Sequence, residues 1–166
     1  MPKAAALVLV GMLLVGACGG SHDKAPDTRA PSPTNGATDS IVIRTSVTVA
    51  ATEGAEPIAT GTVQEGSTLE GAPLCVGGTI LDSHASRDPA IKPYGLIAMT
   101  ITCPDGVMKV GFSPSQAQGG VQTGSWTLVS GTGAFAGLHA SGKLEVKNDP
   151  DPNVPVHETF TGTVER

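Results

Sequence analysis

The chain has 166 residues, with ten Lys and Arg against fifteen Asp and Glu, for a formal net charge of −5. Its cations are scattered singly, which excludes the clustered basic surface needed to neutralise nucleic-acid phosphates. One Trp, one Tyr and three Phe are too few for a base-stacking platform or an aromatic sugar-binding face.

The first predicted element is a secretory signal over residues 1–17. A single early cation, Lys3, precedes an apolar run from Ala4 to Val15, and small residues follow in Val15-Gly16-Ala17-Cys18. About 20 apolar residues are needed to cross a bilayer, so this run reads as a cleaved signal and not as a membrane span. The small residues before Cys18 resemble the lipobox of bacterial lipoproteins. That likeness implies cleavage after Ala17 and a diacylglyceryl thioether on Cys18, the alternative being plain secretion with Cys18 incidental. At ~0.8 kcal/mol per buried CH₂, two or three acyl chains would hold the protein on the extracytoplasmic face of a bacterial membrane. Removing residues 1–17 also removes Lys3 and takes the net charge to −6.

Cys18 opens a second segment, residues 18–40. From Gly19 to Ser40 the sequence is GGSHDKAPDTRAPSPTNGATDS, without a large apolar residue. It has nothing to bury in a core and reads as a disordered tether, with an end-to-end distance of ~25–30 Å.

At Ile41 the pattern changes to period two, and residues 41–166 form the predicted domain. Ile41, Ile43, Thr45, Val47 and Val49 share one face, and Val42, Arg44, Ser46 and Thr48 the other, as in a half-buried strand. Further strands are predicted at Pro57–Val63, Gly77–His84, Leu96–Cys103, Val107–Phe112, Ser125–Val129, Gly142–Lys147 and His157–Val164. Ile97, Met99, Ile101 and Cys103 face a core, while Leu144 and Val146 alternate with a wet side of Lys143, Glu145 and Lys147. Turn signals separate the runs at Glu53-Gly54, Glu65-Gly66, Gly119-Gly120 and the acidic stretch Asp149–Asn153. Cys103-Pro104-Asp105-Gly106 is the clearest hairpin, with Pro presetting one turn residue and Gly free to take positive φ. Eight short strands without helical periodicity predict an all-β, antiparallel barrel or sandwich.

With Cys18 assigned to lipid, one cysteine pair remains, Cys75 and Cys103, in a compartment where disulfides persist. Neither has a nearby His or a CxxC partner, so a disulfide is expected.

Chemistry is harder to find. Ser130 lacks the nucleophile elbow and the helix that follows one. His84, His139 and His157 stand singly on different segments, and His84 with Asp82 and Asp88 is the best acid–base grouping the sequence offers. Asp149-Pro150-Asp151-Pro152-Asn153 imitates a calcium loop, but Val154 replaces the required Gly and Phe160 the bidentate Glu. No catalytic residue, metal site or cofactor is therefore assigned.

The most specific stretch runs from Ser125 to Leu138, with Gly131-Thr132-Gly133-Ala134-Phe135-Ala136-Gly137 at its centre and Glu158–Val164 near the end. Gly131, Gly133 and Gly137 suit a bend, and Phe135 supplies an apolar plug. This pattern, with Cys75–Thr79 and Cys103–Gly106, resembles the allene oxide cyclase and dirigent barrel superfamily. The likeness is to its small exported bacterial members of unassigned activity, in which a GTGxFAG turn joins two barrel strands. It covers about residues 41–164 and implies an eight-stranded antiparallel barrel with an apolar interior, as dimers or trimers. Plant members cyclise or couple apolar small molecules, but their polar catalytic residues have no matching positions here and none is carried over.

Three functions are consistent with these readings. One is binding of an apolar small molecule or an envelope protein; the others are a cyclase or isomerase needing a buried polar group, and a ligand-free spacer. Small residues expected inside the barrel, Ala98, Gly111, Ala134, Ala136 and Gly162, would leave room for a cavity.

Overall fold

The computed structural model describes residues 39–50, 54–151 and 153–166. The predicted signal peptide, Cys18 and the predicted tether up to residue 38 lie outside the described residues. Ten strands follow in chain order: β1 Ser40–Ala50, β2 Ile58–Val63, β3 Thr68–Leu69, β4 Ala72–Pro73, β5 Thr79–His84, β6 Ile97–Cys103, β7 Gly106–Pro114, β8 Val121–Gly131, β9 His139–Lys147 and β10 Val156–Glu165.

Eight of them close an antiparallel barrel in the order β1-β2-β5-β6-β7-β8-β9-β10, and β10 pairs back onto β1. Closure leaves no sheet edge between these strands unpaired. The remaining two, β3 and β4, form a short hairpin laid against the start of β1, which the sequence pattern had not signalled. All eight predicted strands are present, though β8 extends four residues earlier than its periodic core and β9 three. The β6–β7 hairpin turns where expected, with Cys103 opposite Gly106.

Alternation decides which side chains go inside. Along β1, Ile41, Ile43, Thr45 and Val47 are buried and Arg44 and Thr48 exposed. Along β6, Met99, Ile101 and Cys103 point inward, and along β9 Leu144 and Val146 are buried between exposed Lys143, Glu145 and Lys147. Each inward side chain leaves water for an apolar contact, at about 25 cal/mol per Å² buried.

Midway along the barrel, Phe112, Trp126 and Phe160 fill the interior. Phe160 meets the other two edge to face, with centroids at 5.3 Å from Phe112 and 6.0 Å from Trp126, an arrangement that suits ring quadrupoles. The indole needs space beside β9 and β10. Gly142 and Gly162 sit opposite each other there, and a Cβ on Gly162 would press on the indole ring. Trp126 Nε1 donates to the Thr161 carbonyl at 3.2 Å.

One end of the barrel is sealed. The Gly131–Gly137 segment joins β8 to β9 as a single 3₁₀ turn, Gly133–Phe135, which drives Phe135 into the core. Gly133 takes a φ of 60° and abuts the Asp105 carbonyl, a conformation and closeness open to glycine. Leu138, Leu74 and the Cys75–Cys103 disulfide, with Cα atoms 5.5 Å apart, complete that end.

The expected small interior residues are mostly elsewhere. Ala134 and Ala136 are exposed on the closing turn. Ala98 and Gly111 face outward, beneath the segment Ala85–Gly95, whose Ala85 and Ile91 form a small second cluster with Ala98. Gly162 alone of the five lies inside, and Trp126 occupies its space. Large side chains, not small ones, therefore fill the lower and middle barrel.

Candidate functional site

The opposite end is open. A cavity of about 290 Å³ enters between the C-terminal ends of β1, β5, β7 and β9 and the N-terminal ends of β2, β6, β8 and β10. Its wall is mainly apolar, with Val47, Ala59, Ile97, Phe112, Val146 and Val156. Phe112 belongs to the aromatic group that blocks the barrel below, so the shape is a cup. Its volume lies at the small end of the ~300–1,000 Å³ range of ligand clefts.

Two carboxyl groups line this apolar cup. Asp82 stands on β5 two residues after inward-facing Ile80, and Glu158 stands on β10 between inward-facing Val156 and Phe160. Period two therefore directs both into the barrel, where Asp82 is 5% and Glu158 6% exposed. In register, Asp82 is flanked by Ala59 on β2 and Met99 on β6, neither of which has a side-chain hydrogen-bond donor to offer it. Glu158 lies opposite Thr45 on β1, whose hydroxyl donates to Glu158 Oε2 at 2.7 Å.

The two acids are thus unequal. Asp82 Oδ1 is fully buried and has no hydrogen-bond partner among the described residues. An unmet buried acceptor costs about 1–3 kcal/mol, and more when charged. Burial pushes the Asp82 carboxyl up from 3.8 to about 8, and the neighbouring Glu158 charge acts in the same direction. Glu158 is also raised by burial, against the pull of the Thr45 hydroxyl bond. Both shifts follow from moving a carboxylate into a low dielectric with no cation beside it. Because Thr45 favours the ionised form of Glu158, the first proton of the pair resides on Asp82 near neutral pH.

The rim is polar. His84 lies at the end of β5, with Nδ1 2.8 Å from Ser86 Oγ and 3.6 Å from Glu56 Oε1. Gln122 and Asn148 meet on the far side, Asn148 Nδ2 donating to Gln122 Oε1 at 3.1 Å.

Of the grouping His84, Asp82 and Asp88, the first two line the same cavity and Asp88 does not. Asp82 lies inside, His84 on the rim, and Asp88 outside, where it accepts from Lys109 Nζ at 2.8 Å. His139 and His157 are exposed on the outer surface. In the acidic loop, Asp151 accepts from both the backbone and side chain of Asn153, and Asp149 from the backbone of Asp151, so these carboxylates serve as turn acceptors. Among the described residues, no group of three or more His, Cys, Asp or Glu is placed to hold a metal ion.

Sequence reasoning did not single out Glu158, although a signal was present. In Val156-His157-Glu158-Thr159-Phe160, the acid falls on the same face as Val156 and Phe160, an inward charge on a strand that is otherwise apolar on that side. That Asp82 and Glu158 share one cavity follows only from barrel closure.

No family model, no curated protein and no solved structure matches this chain.

Proposed function

We propose that this chain is a bacterial lipoprotein, anchored through Cys18 to the extracytoplasmic face of a membrane, whose barrel binds an apolar small molecule. The observation that carries the binding role is the cup: an apolar cavity, closed below by Phe112, Phe160 and Trp126, with a few polar groups converging in it. Pockets of this composition place most of a ligand's surface against apolar walls and use the polar groups for orientation. The anchor rests on the sequence around Cys18, and the tether would carry the mouth clear of the headgroups.

A second reading, a cyclase or isomerase, is favoured by the acid pair. Asp82 holds a proton near neutral pH and Glu158 is the ionised partner with a vacant site for one, so the two can give and take a proton at an apolar substrate. This agrees with the resemblance to the allene oxide cyclase and dirigent superfamily, on which a role as dimer or trimer also rests.

The test is native mass spectrometry of the full chain exported by a bacterial host, followed by denaturing extraction of the bound material. A discrete apolar compound supports the binding role, and its recovery in altered form after incubation supports the second reading. A protein that is always empty, in every host and after exposure to lipid extract, refutes both. Cys18→Ser is expected to move the protein from the membrane fraction to the soluble exported fraction.

A further inference from the structure

The polar groups of the cup do not suit every apolar ligand equally. Among the described residues lining it, the titratable side chains are Asp82, Glu158 and His84, and there is no Lys or Arg. The strands beside Asp82 present Ala59 and Met99. Across the cavity β10 presents Glu158, β1 Val47 and Val49, β7, β8 and β9 present Phe112, Gln122 and Val146, and Asn148 follows β9. His84 is turned toward Ser86 and Glu56 at the rim, and Arg87 is held by the same Glu56 at 3.1 Å. Arg87 is thus engaged by Glu56, and among the described residues the two acids inside have no positive partner.

Their unmet capacity is for donors. Asp82 lines the cup, and its buried Oδ1 accepts nothing among the described residues, while Glu158 has one hydroxyl donor, Thr45. A ligand that brings both a positive charge and several N–H groups would fill this capacity, whereas a ligand carboxylate would face the negative charge of Glu158 and oppose ionisation of Asp82. The walls above Phe112 are hydrocarbon over most of their area, so the rest of the ligand must be apolar.

Building on the proposed binding role, we infer that the occupant of the cup is a small lipophilic amine, held as its ammonium ion between Asp82 and Glu158 with its hydrocarbon part against Val47, Ile97, Phe112 and Val156. The ammonium donates to the Asp82 carboxylate and to the free oxygen positions of Glu158. Burial of the whole group makes these charge-assisted bonds stronger than the same contacts in water.

Binding is linked to protons. The ammonium favours the ionised forms of both acids, so below the raised range of Asp82 the amine must displace a proton, and affinity rises with pH.

The test is titration calorimetry of the full chain with three probes of similar size: 2-phenylethylamine, 2-phenylethanol and phenylacetate. The amine is expected to bind at least about tenfold more tightly than the alcohol at about pH 8, and phenylacetate not at all. Amine affinity should rise about tenfold from about pH 6 to about pH 8, with proton release shown by buffers of different ionisation enthalpy. Asp82→Asn and Glu158→Gln should each remove most of the amine preference and leave alcohol binding intact. That retained alcohol binding also shows that the variants are folded. If the alcohol binds the wild-type cup as tightly as the amine, or if the preference survives in both variants, the amine assignment is overturned and the apolar cup stands. If none of the probes binds, both the cup and the amine are overturned.

Discussion

Replacing Asp82 by Asn should stabilise the protein, and by an amount that depends on pH. The folded Asp82 carboxyl is raised to about 8 from an ordinary 3.8. A group raised in the folded state contributes stability in full below its unfolded value, and this contribution is lost as pH rises to the folded value. Between about pH 4 and pH 8 the native barrel therefore holds more protons than the unfolded chain, and stability falls with pH. At about 1.4 kcal/mol per unit, the upper bound over this window is about 6 kcal/mol, and water reaching the open mouth lowers the expected loss to about 2–4 kcal/mol. Asn keeps the shape and cannot ionise. Asp82→Asn should thus match the wild type within about 1 kcal/mol near pH 4 and exceed it by about 2–4 kcal/mol near pH 8. Urea unfolding at a series of pH values reads this directly through Trp126, which is buried in the folded barrel. A constant difference across the range, or a less stable variant at pH 8, would refute the claim that burial of the Asp82 charge sets the pH dependence.

The other expectations concern the donor to Glu158 and the sealed end. Thr45→Val removes the hydroxyl bonded to Glu158, so the Glu158 carboxyl should titrate still higher in ¹³C NMR and the barrel should lose about 1–3 kcal/mol at neutral pH; an unchanged titration would show that the bond does not hold the charge. Replacing Cys75 and Cys103 together by Ala opens a loop of sequence separation 28 and should lower stability by about 3–4 kcal/mol in the chain-entropy account, read as a lower urea midpoint. Amine binding should persist in that variant, because the disulfide lies at the end remote from the cup.

Much of the barrel was legible in the chain itself. A strand's side chains alternate every residue, so Ile41, Ile43, Thr45 and Val47, or Leu144 and Val146, declared their buried face before any pairing was known. The hairpin at Cys103–Gly106 and the bend at Gly131–Gly137 were legible because glycine and proline restrict or free the backbone locally. The cysteine pair was fixed by count. What could not be read was how far apart on the barrel wall two inward residues lie. Ala98 and Gly111 were expected inside because they are small, yet they lie outside, under Ala85 and Ile91. Their face depends on which side of β6 and β7 closes inward, and Met99, Val110 and Phe112 decide that by their larger apolar area.

The candidate site shows the same division. Sequence determined that Asp82 and Glu158 occupy alternating strands at positions in phase with apolar residues, and that the chain offers few aromatic or basic groups. Tertiary structure alone decided that β10 closes onto β1, and so brought two acids separated by 75 intervening residues into one apolar cup. Period two is a local property of the backbone, whereas the meeting of β5 and β10 across a cavity depends on closure by all eight strands, which no local signal encodes.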